Sequence, residues 1–325
     1  MASLQNYSFG AFVVEAAFLG ETVAFALGDG SVRLVGGVAN KRIDVHAGAI
    51  LTASPDRDGK KLITGGDDGR VACIGADGEV AVVADLARKW IDHVAAGPNN
   101  TIAYASGRQV FVRFGDGRER LLDLARAAGG LAFAPKGLRL AVARYDWVDL
   151  WWIGTEAEPV SFEWKGAHLG VSFSPDGRYV ITTMQENTLH GWRLSDAQDL
   201  RMSGYPAKVR SLAWSAKGRF LATSGANAAI LWPFHTKDGP MGKEPAQLGE
   251  RDALVTRIAC HPRKEILAVG YQDGMVSLVG IEDRSVVVLR PPAGSSISAL
   301  AFDRRGDRLC FGSEDGGAGV IGTGA

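Results

Sequence analysis

Residues 171–194 read VSFSPDGRYVITTMQENTLHGWRL. Val171-Ser172-Phe173 alternates apolar and polar residues, the period-2 pattern of a half-buried strand. Ser174-Pro175-Asp176-Gly177 is turn chemistry, with Pro fixing φ and Asp and Gly accepting unusual backbone angles. A second apolar run occupies 179–183, Gln185-Glu186-Asn187 supplies a second turn, and a third run at 189–194 carries Trp192 near its end. The stretch therefore predicts three short strands joined by two tight turns.

Seven other stretches repeat the pattern. With Phe173 as the anchor, the equivalent positions are Phe18, Ala53, Ala96, Phe133, Trp214, Cys260 and Phe302, so the eight anchors lie 35, 43, 37, 40, 41, 46 and 42 residues apart. That period is the length of one four-stranded propeller blade. Segments such as RIDVHAG, EVAVVADL and SVVVLRPPAG lie between repeats and have the length and apolar content of a fourth strand. Eight repeats supply 24 strands and seven connecting segments supply seven more, which leaves one fourth strand missing. Residues 4–9, LQNYSF, have the right length to fill it. The expectation is an all-β, closed β-propeller spanning residues 1–325 as a single domain. Eight four-stranded blades are expected, with seven as the alternative, and the N-terminal strand closes the ring and covers an edge that would otherwise remain unpaired. The third repeat, VAAGPNNTIAYASGRQVFVRF, is the weakest copy and the place where irregularity is expected.

Composition narrows the function classes. The apolar share is 46%, enough for a substantial core, and 42 glycines suit many tight turns better than long helices. Lys plus Arg and Asp plus Glu both number 36, so bulk charge does not favour nucleic acid or an acidic membrane. Cys73, Cys260 and Cys310 are far apart in apolar runs and read as small buried residues of a reducing compartment, which points to the cytoplasm. The N-terminal apolar stretch lacks a basic leader and carries Glu15, so neither a signal peptide nor a membrane helix is expected.

Ser54-Pro55-Asp56, Ser174-Pro175-Asp176-Gly177, Gly66-Asp67-Asp68-Gly69 and Trp192, in register with their repeats, resemble the WD-repeat (tryptophan-aspartate repeat) β-propeller family. The resemblance covers nearly the whole chain. It implies a buried hydrogen-bonded set in each blade: a His before the blade, a Ser or Thr in the second strand, an Asp in the turn and a Trp in the third strand. His46, Thr64 and Asp68 match three members, with Ile74 in the Trp place. His168 and Trp192 match in the fifth repeat, where Glu186 stands for Asp. Asp29, Asp273 and Asp315 match the turn Asp in repeats without the His. No repeat holds the full set, and no Trp-Asp pair occurs: Trp192 precedes Arg193 and Trp232 precedes Pro233.

The chemistry of catalysis is not assembled. The six histidines lack metal-ligand spacing, the carboxylates sit in Asp-Gly turns, and no nucleophile or phosphate-loop motif stands in its required context. No catalytic, cofactor or metal residue is predicted. By resemblance, the loops from fourth strand to next first strand and the turns from second to third strand share a face that binds proteins or peptides. That face would carry Trp90, Tyr145, Trp147 and Gln185, and further along Lys208, Arg210, Arg257, Gln272 and Glu314. Tyr145-Asp146-Trp147 places two aromatics in a turn that needs neither; Trp147 either contacts a partner or folds back over a neighbouring blade. Trp151, Trp192 and Trp232 fall in third strands and read as packing. Residues 233–249 form the longest insertion, on the opposite face. The leading expectation is a non-catalytic scaffold or adaptor, either a monomeric ring or a subunit of a larger complex. The alternative is a small-molecule-binding or hydrolytic propeller using its central channel.

Overall fold

The computed structural model describes residues 4–37 and 40–324. Every regular element among them is a β-strand, arranged in seven antiparallel sheets, six of four strands and one of six. The architecture is a β-propeller. Contacts group the described residues into two compact parts, one holding those up to 18 with 187–189 and 200–324, the other those of 19–186 with 190–199.

The strand grammar follows from burial. In the fifth repeat the second strand, Tyr179–Met184, is buried at every position, and the third, Leu189–Arg193, at all but its last. A strand covered on both faces reads as a continuous apolar run, which explains why the inner strands do not alternate. The outer strand, Gln198–Met202, has one covered face and alternates. Asp-Gly turns join second to third strands. Asp29, Asp68, Asp273 and Asp315 each accept the backbone N–H two residues on, at 3.0–3.1 Å. Gly30 and Gly316, with φ of +84° and +88°, occupy the left-handed region those turns require. The equivalent turns of the fourth and fifth repeats use Asp146 (φ 65°) and Asn187 (φ 53°), polar residues that tolerate this region.

Six repeats form one four-stranded sheet each, the weak third repeat included. The fourth and fifth share the six-stranded sheet, so the sheets number seven, the alternative count, although the sequence repeats number eight. Two strands of 14 residues account for the difference. Within Arg139–Trp152 the chain doubles back at Asp146: Ile153 N donates to Leu138 O at 2.9 Å. A straight strand would hold those residues roughly 50 Å apart. That segment thus supplies both the second and third strands of the fourth repeat. Val160–Phe173 serves the fourth repeat with residues 160–163 and the fifth with 168–173.

The missing fourth strand of the last sheet is the N-terminal one. Leu4–Ser8 pairs antiparallel with Gly317–Gly322, from Leu4 opposite Ile321 to Ser8 opposite Gly317. Phe9 N extends the ladder to Gly316 O at 2.9 Å. This is the pairing that closure of the last repeat requires.

The buried polar sets are partly those expected. His46 bridges Asp68 (Nδ1 to Oδ1, 2.9 Å) and Thr64 (Nε2 to Oγ1, 2.8 Å). His168 joins Thr182 Oγ1 at 2.8 Å and Trp164 O at 2.9 Å, so Glu186 takes no part in its hydrogen bonding. The sixth repeat holds a set that no His announces. Trp232 Nε1 donates to Tyr205 Oη at 2.5 Å, Tyr205 meets Thr223 Oγ1 at 2.7 Å, and Thr223 Oγ1 donates to Ile230 O at 3.2 Å. Tyr205 stands in the place of the His. Burial pushes its hydroxyl up to about 12, despite hydrogen bonds with Thr223 and Trp232 that lower it.

Trp192 and Trp232 are buried and Trp151 packs against a core cluster, as third-strand packing residues should. Cys73, Cys260 and Cys310 are free thiols. The 233–249 segment is tied down at its start, where Phe234 is buried, bonds Arg219 O through its backbone and meets Trp214 edge-on at 4.9 Å.

Candidate interaction surface at the strand-end turns

One end of the strands is built by two kinds of segment held together by backbone bonds. Gly30 O, in a second-to-third-strand turn, accepts from Val45 and His46 N, which lead into the next repeat, at 3.1 and 3.0 Å. Gly69 O and Gly66 O accept Leu86 N and Ile91 N in the same manner, and Gly107 O accepts Ala128 N. A further bond recurs at the turn itself: Gln185 N to Ala167 O, Gln272 N to Leu254 O, and Glu314 N to Ser296 O, at 2.8–3.0 Å. Side chains at these turns project from a backbone fixed before any partner arrives, so little ordering entropy opposes docking.

First strands begin with a bulge, at Ile50/Thr52, Ala128/Gly130, His168/Gly170, Val255/Arg257 and Ile297/Ala299. The residue after the bulge is small in four of these. In the seventh repeat it is Arg257, and the same position in the first repeat is Glu15.

In the part containing residues 19–186, Trp90 is 63% exposed and Tyr145 55% exposed, the outward apolar surface expected of them. Trp147 is half-buried beneath the Arg144 guanidinium, 5.5 Å from its ring centroid. Arg144 is clamped by Asp149 through two bonds of 2.6 and 3.1 Å, and Ser161 Oγ donates to the same carboxylate. Trp147 therefore folds back on its own repeat. Asp146 Oδ1 accepts Gly166 N at 2.8 Å and pins the turn, leaving Tyr145 as its outward aromatic. Gln185 is exposed beside Glu186.

In the other part, the remaining five predicted residues converge. Lys208, Arg210, Arg257, Gln272 and Glu314 line one cleft of about 280 Å³. Two residues outside the predicted set, Phe12 and Glu15, join them. Phe12 is 43% exposed and lines the same cleft. Glu15, which served above only to exclude a membrane helix, interacts electrostatically with Arg257. Burial raises the Glu15 pKa, against opposing contributions from Ala16 N–H and Arg257. Burial likewise lowers the Arg257 pKa, with Glu15 opposing, Arg210 reinforcing and Glu314 opposing. Ser224 Oγ accepts Arg210 N and Ser211 N at 3.1 and 3.0 Å, fixing the backbone that carries Arg210.

Among the described residues no group of three or more His, Cys, Asp or Glu is placed to hold a metal ion. No helix among them is long and apolar enough to cross a membrane.

Residues 199–232 match the family model described as WD domain, G-beta repeat. The match spans Tyr205, Thr223 and Trp232, the repeat whose buried set uses Tyr for His. The chain is 28% identical over 149 residues to telomerase protein component 1 of Mus musculus, a stretch covering 46% of this chain and 6% of that protein. The chain thus spans a small fraction of the curated relative it matches. Its fold is similar to that of the computationally designed Ika8 protein, with a TM-score of 0.79 and 19% identity over 97% of each chain. The all-β sheets define a β-propeller, and the repeat match and the relative make it similar to the WD-repeat β-propeller family. Propellers of this family generally mediate protein–protein interaction and are typically non-catalytic.

Proposed function

We propose that this chain is a non-catalytic interaction scaffold that holds partner proteins or peptides against its strand-end turns. The observation carrying this reading is the display of Trp90 and Tyr145, more than half exposed, on backbone already bonded in place. Aromatics of this kind dominate protein contacts because they remove much apolar area from water at small entropic cost. Residues 1–325 act as one domain in this reading. Its free thiols suit a reducing compartment such as the cytoplasm. The wild-type chain and a Trp90→Ala/Tyr145→Ala variant are immobilised and exposed to extract from the native cell. Loss of a discrete set of captured proteins, at unchanged melting temperature, supports the scaffold. Equal capture by both chains argues against these aromatics as the docking surface.

A further inference from the structure

We infer that the cleft between Lys208 and Glu314 receives one carboxylate side chain of an extended partner peptide; this rests on the scaffold reading and names what the scaffold recognises. Three cations line the cleft, and two carboxylates answer them, Glu314 in the wall and Glu15 electrostatically coupled to Arg257. Lys208 and Arg210 form no ion pair with any described residue, whereas many other arginines of the chain do. With both carboxylates counted as ionised, at least one positive charge is left unmatched.

Arg257 is prepared to use it. Its Nε donates to Ser298 O at 2.5 Å and its Nη1 to Thr256 O at 3.2 Å, which fix the guanidinium plane. Its Nη2 makes no hydrogen bond among the described residues. A guanidinium held on one side and uncommitted on the other suits a carboxylate oxygen, and preorganisation spares the entropy of fixing a long side chain. Arg210 stands close enough to oppose the Arg257 charge, so an incoming anion relieves that repulsion.

The charge count distinguishes a carboxylate from a phosphate. A phosphate monoester brings nearly two negative charges beside Glu314 and Glu15, while a carboxylate brings one. The cleft is smaller than most cofactor pockets and suits a side chain with its flanking backbone. Phe12 at the rim, with Leu254 and Ile297 in the lining, provides apolar contact for the residue next to the acid.

The test exposes the full chain to a randomised hexapeptide library containing all twenty residues and phosphoserine. The wild-type chain is expected to enrich Asp or Glu at one position over Asn or Gln by about tenfold or more, the scale of one charge-assisted hydrogen bond. Arg257→Gln is expected to abolish that preference. Lys208→Gln, at a site without structural bonds, is expected to reduce it with unchanged melting temperature, so a folding defect in the Arg257 variant leaves the test decisive. Glu314→Gln is expected to strengthen it. Preference for phosphoserine over Glu, enrichment of non-acidic residues, no enrichment at all, or an acidic preference that survives Lys208→Gln overturns the inference. The scaffold reading is judged separately, by capture with the Trp90 and Tyr145 variant.

Discussion

Tyr205→Phe removes one oxygen from the centre of a buried chain of donors. Thr223 Oγ1 spends its only hydrogen on Ile230 O, so Tyr205 donates to Thr223 and accepts from Trp232 Nε1. Tyr205, Thr223 and Trp232 are all buried. Without the hydroxyl the Trp232 N–H keeps its burial and loses its acceptor. An unsatisfied buried donor costs about 1–3 kcal/mol, whereas replacing both members of a bond by apolar groups costs less. The expected loss for Tyr205→Phe is therefore about 1–3 kcal/mol. Thr223→Val strands the Tyr205 hydroxyl instead and falls in the same range. The double variant removes both groups, so it costs less than the sum of the singles. Urea unfolding followed by tryptophan fluorescence reads this as a lower midpoint at unchanged slope. A Tyr205→Phe midpoint equal to wild type, or strict additivity with Thr223→Val, refutes the claim that Tyr205 replaces the His of the buried set.

Deleting residues 1–10 uncovers the edge of Gly317–Gly322; a lower melting temperature and concentration-dependent association by light scattering are expected, and an unchanged melting temperature counts against closure by this strand. Gly30→Ala drives a Cβ into Gly48 O at φ +84°, so it should destabilise well beyond Gly20→Ala, whose Cβ meets nothing within 4 Å; equal midpoints would contradict the turn packing. Burial lowers the His168 pKa, with the Trp164 carbonyl, Glu186 and Asp146 opposing. The unfolded chain therefore takes up a proton at this residue near pH 6.5 while the folded chain does not, and stability falls as pH drops from about 7 toward the depressed folded value. His168→Gln should flatten that part of a stability-versus-pH curve, and an unaltered slope would remove His168 as its source. Hydrogen bonds hold Asp68 below the usual carboxylate range despite its burial, so its contribution is present above about pH 4 and is lost on further acidification. Asp68→Asn should lower stability at pH 7 and diminish its fall below pH 4, as read by urea midpoints.

The strands, turns and closing segment were legible because they depend on local pattern: apolar runs at a fixed period, Asp-Gly turns, and one strand too few. The shared sheet of the fourth and fifth repeats was not, because Asp146 reverses the chain without a glycine and Tyr145 continues the pairing across the turn to Ala167. Tyr205 escaped notice for a chemical reason. The expected set names a His, and a tyrosine hydroxyl does the same bonding to Thr223. The nine interaction candidates were all placed in the strand-end segments by repeat register. The gathering of five into one cleft depends on the bulge before Arg257 and on the tertiary placement of Glu15 and Phe12, which no single repeat encodes. Trp147 turned inward because Arg144, held by Asp149 five residues on, lies over its ring.

Partner docking is proposed to fall on the strand-end turns. Amide hydrogen exchange on the wild-type chain, free and bound to a protein it captures, tests this directly. Slowed exchange is expected in the segments around Trp90 and Tyr145 and around Arg210, Gln272 and Glu314, with the outer strands unchanged. Protection confined to outer strands such as Val286–Arg290, or to the 233–249 segment, would contradict it.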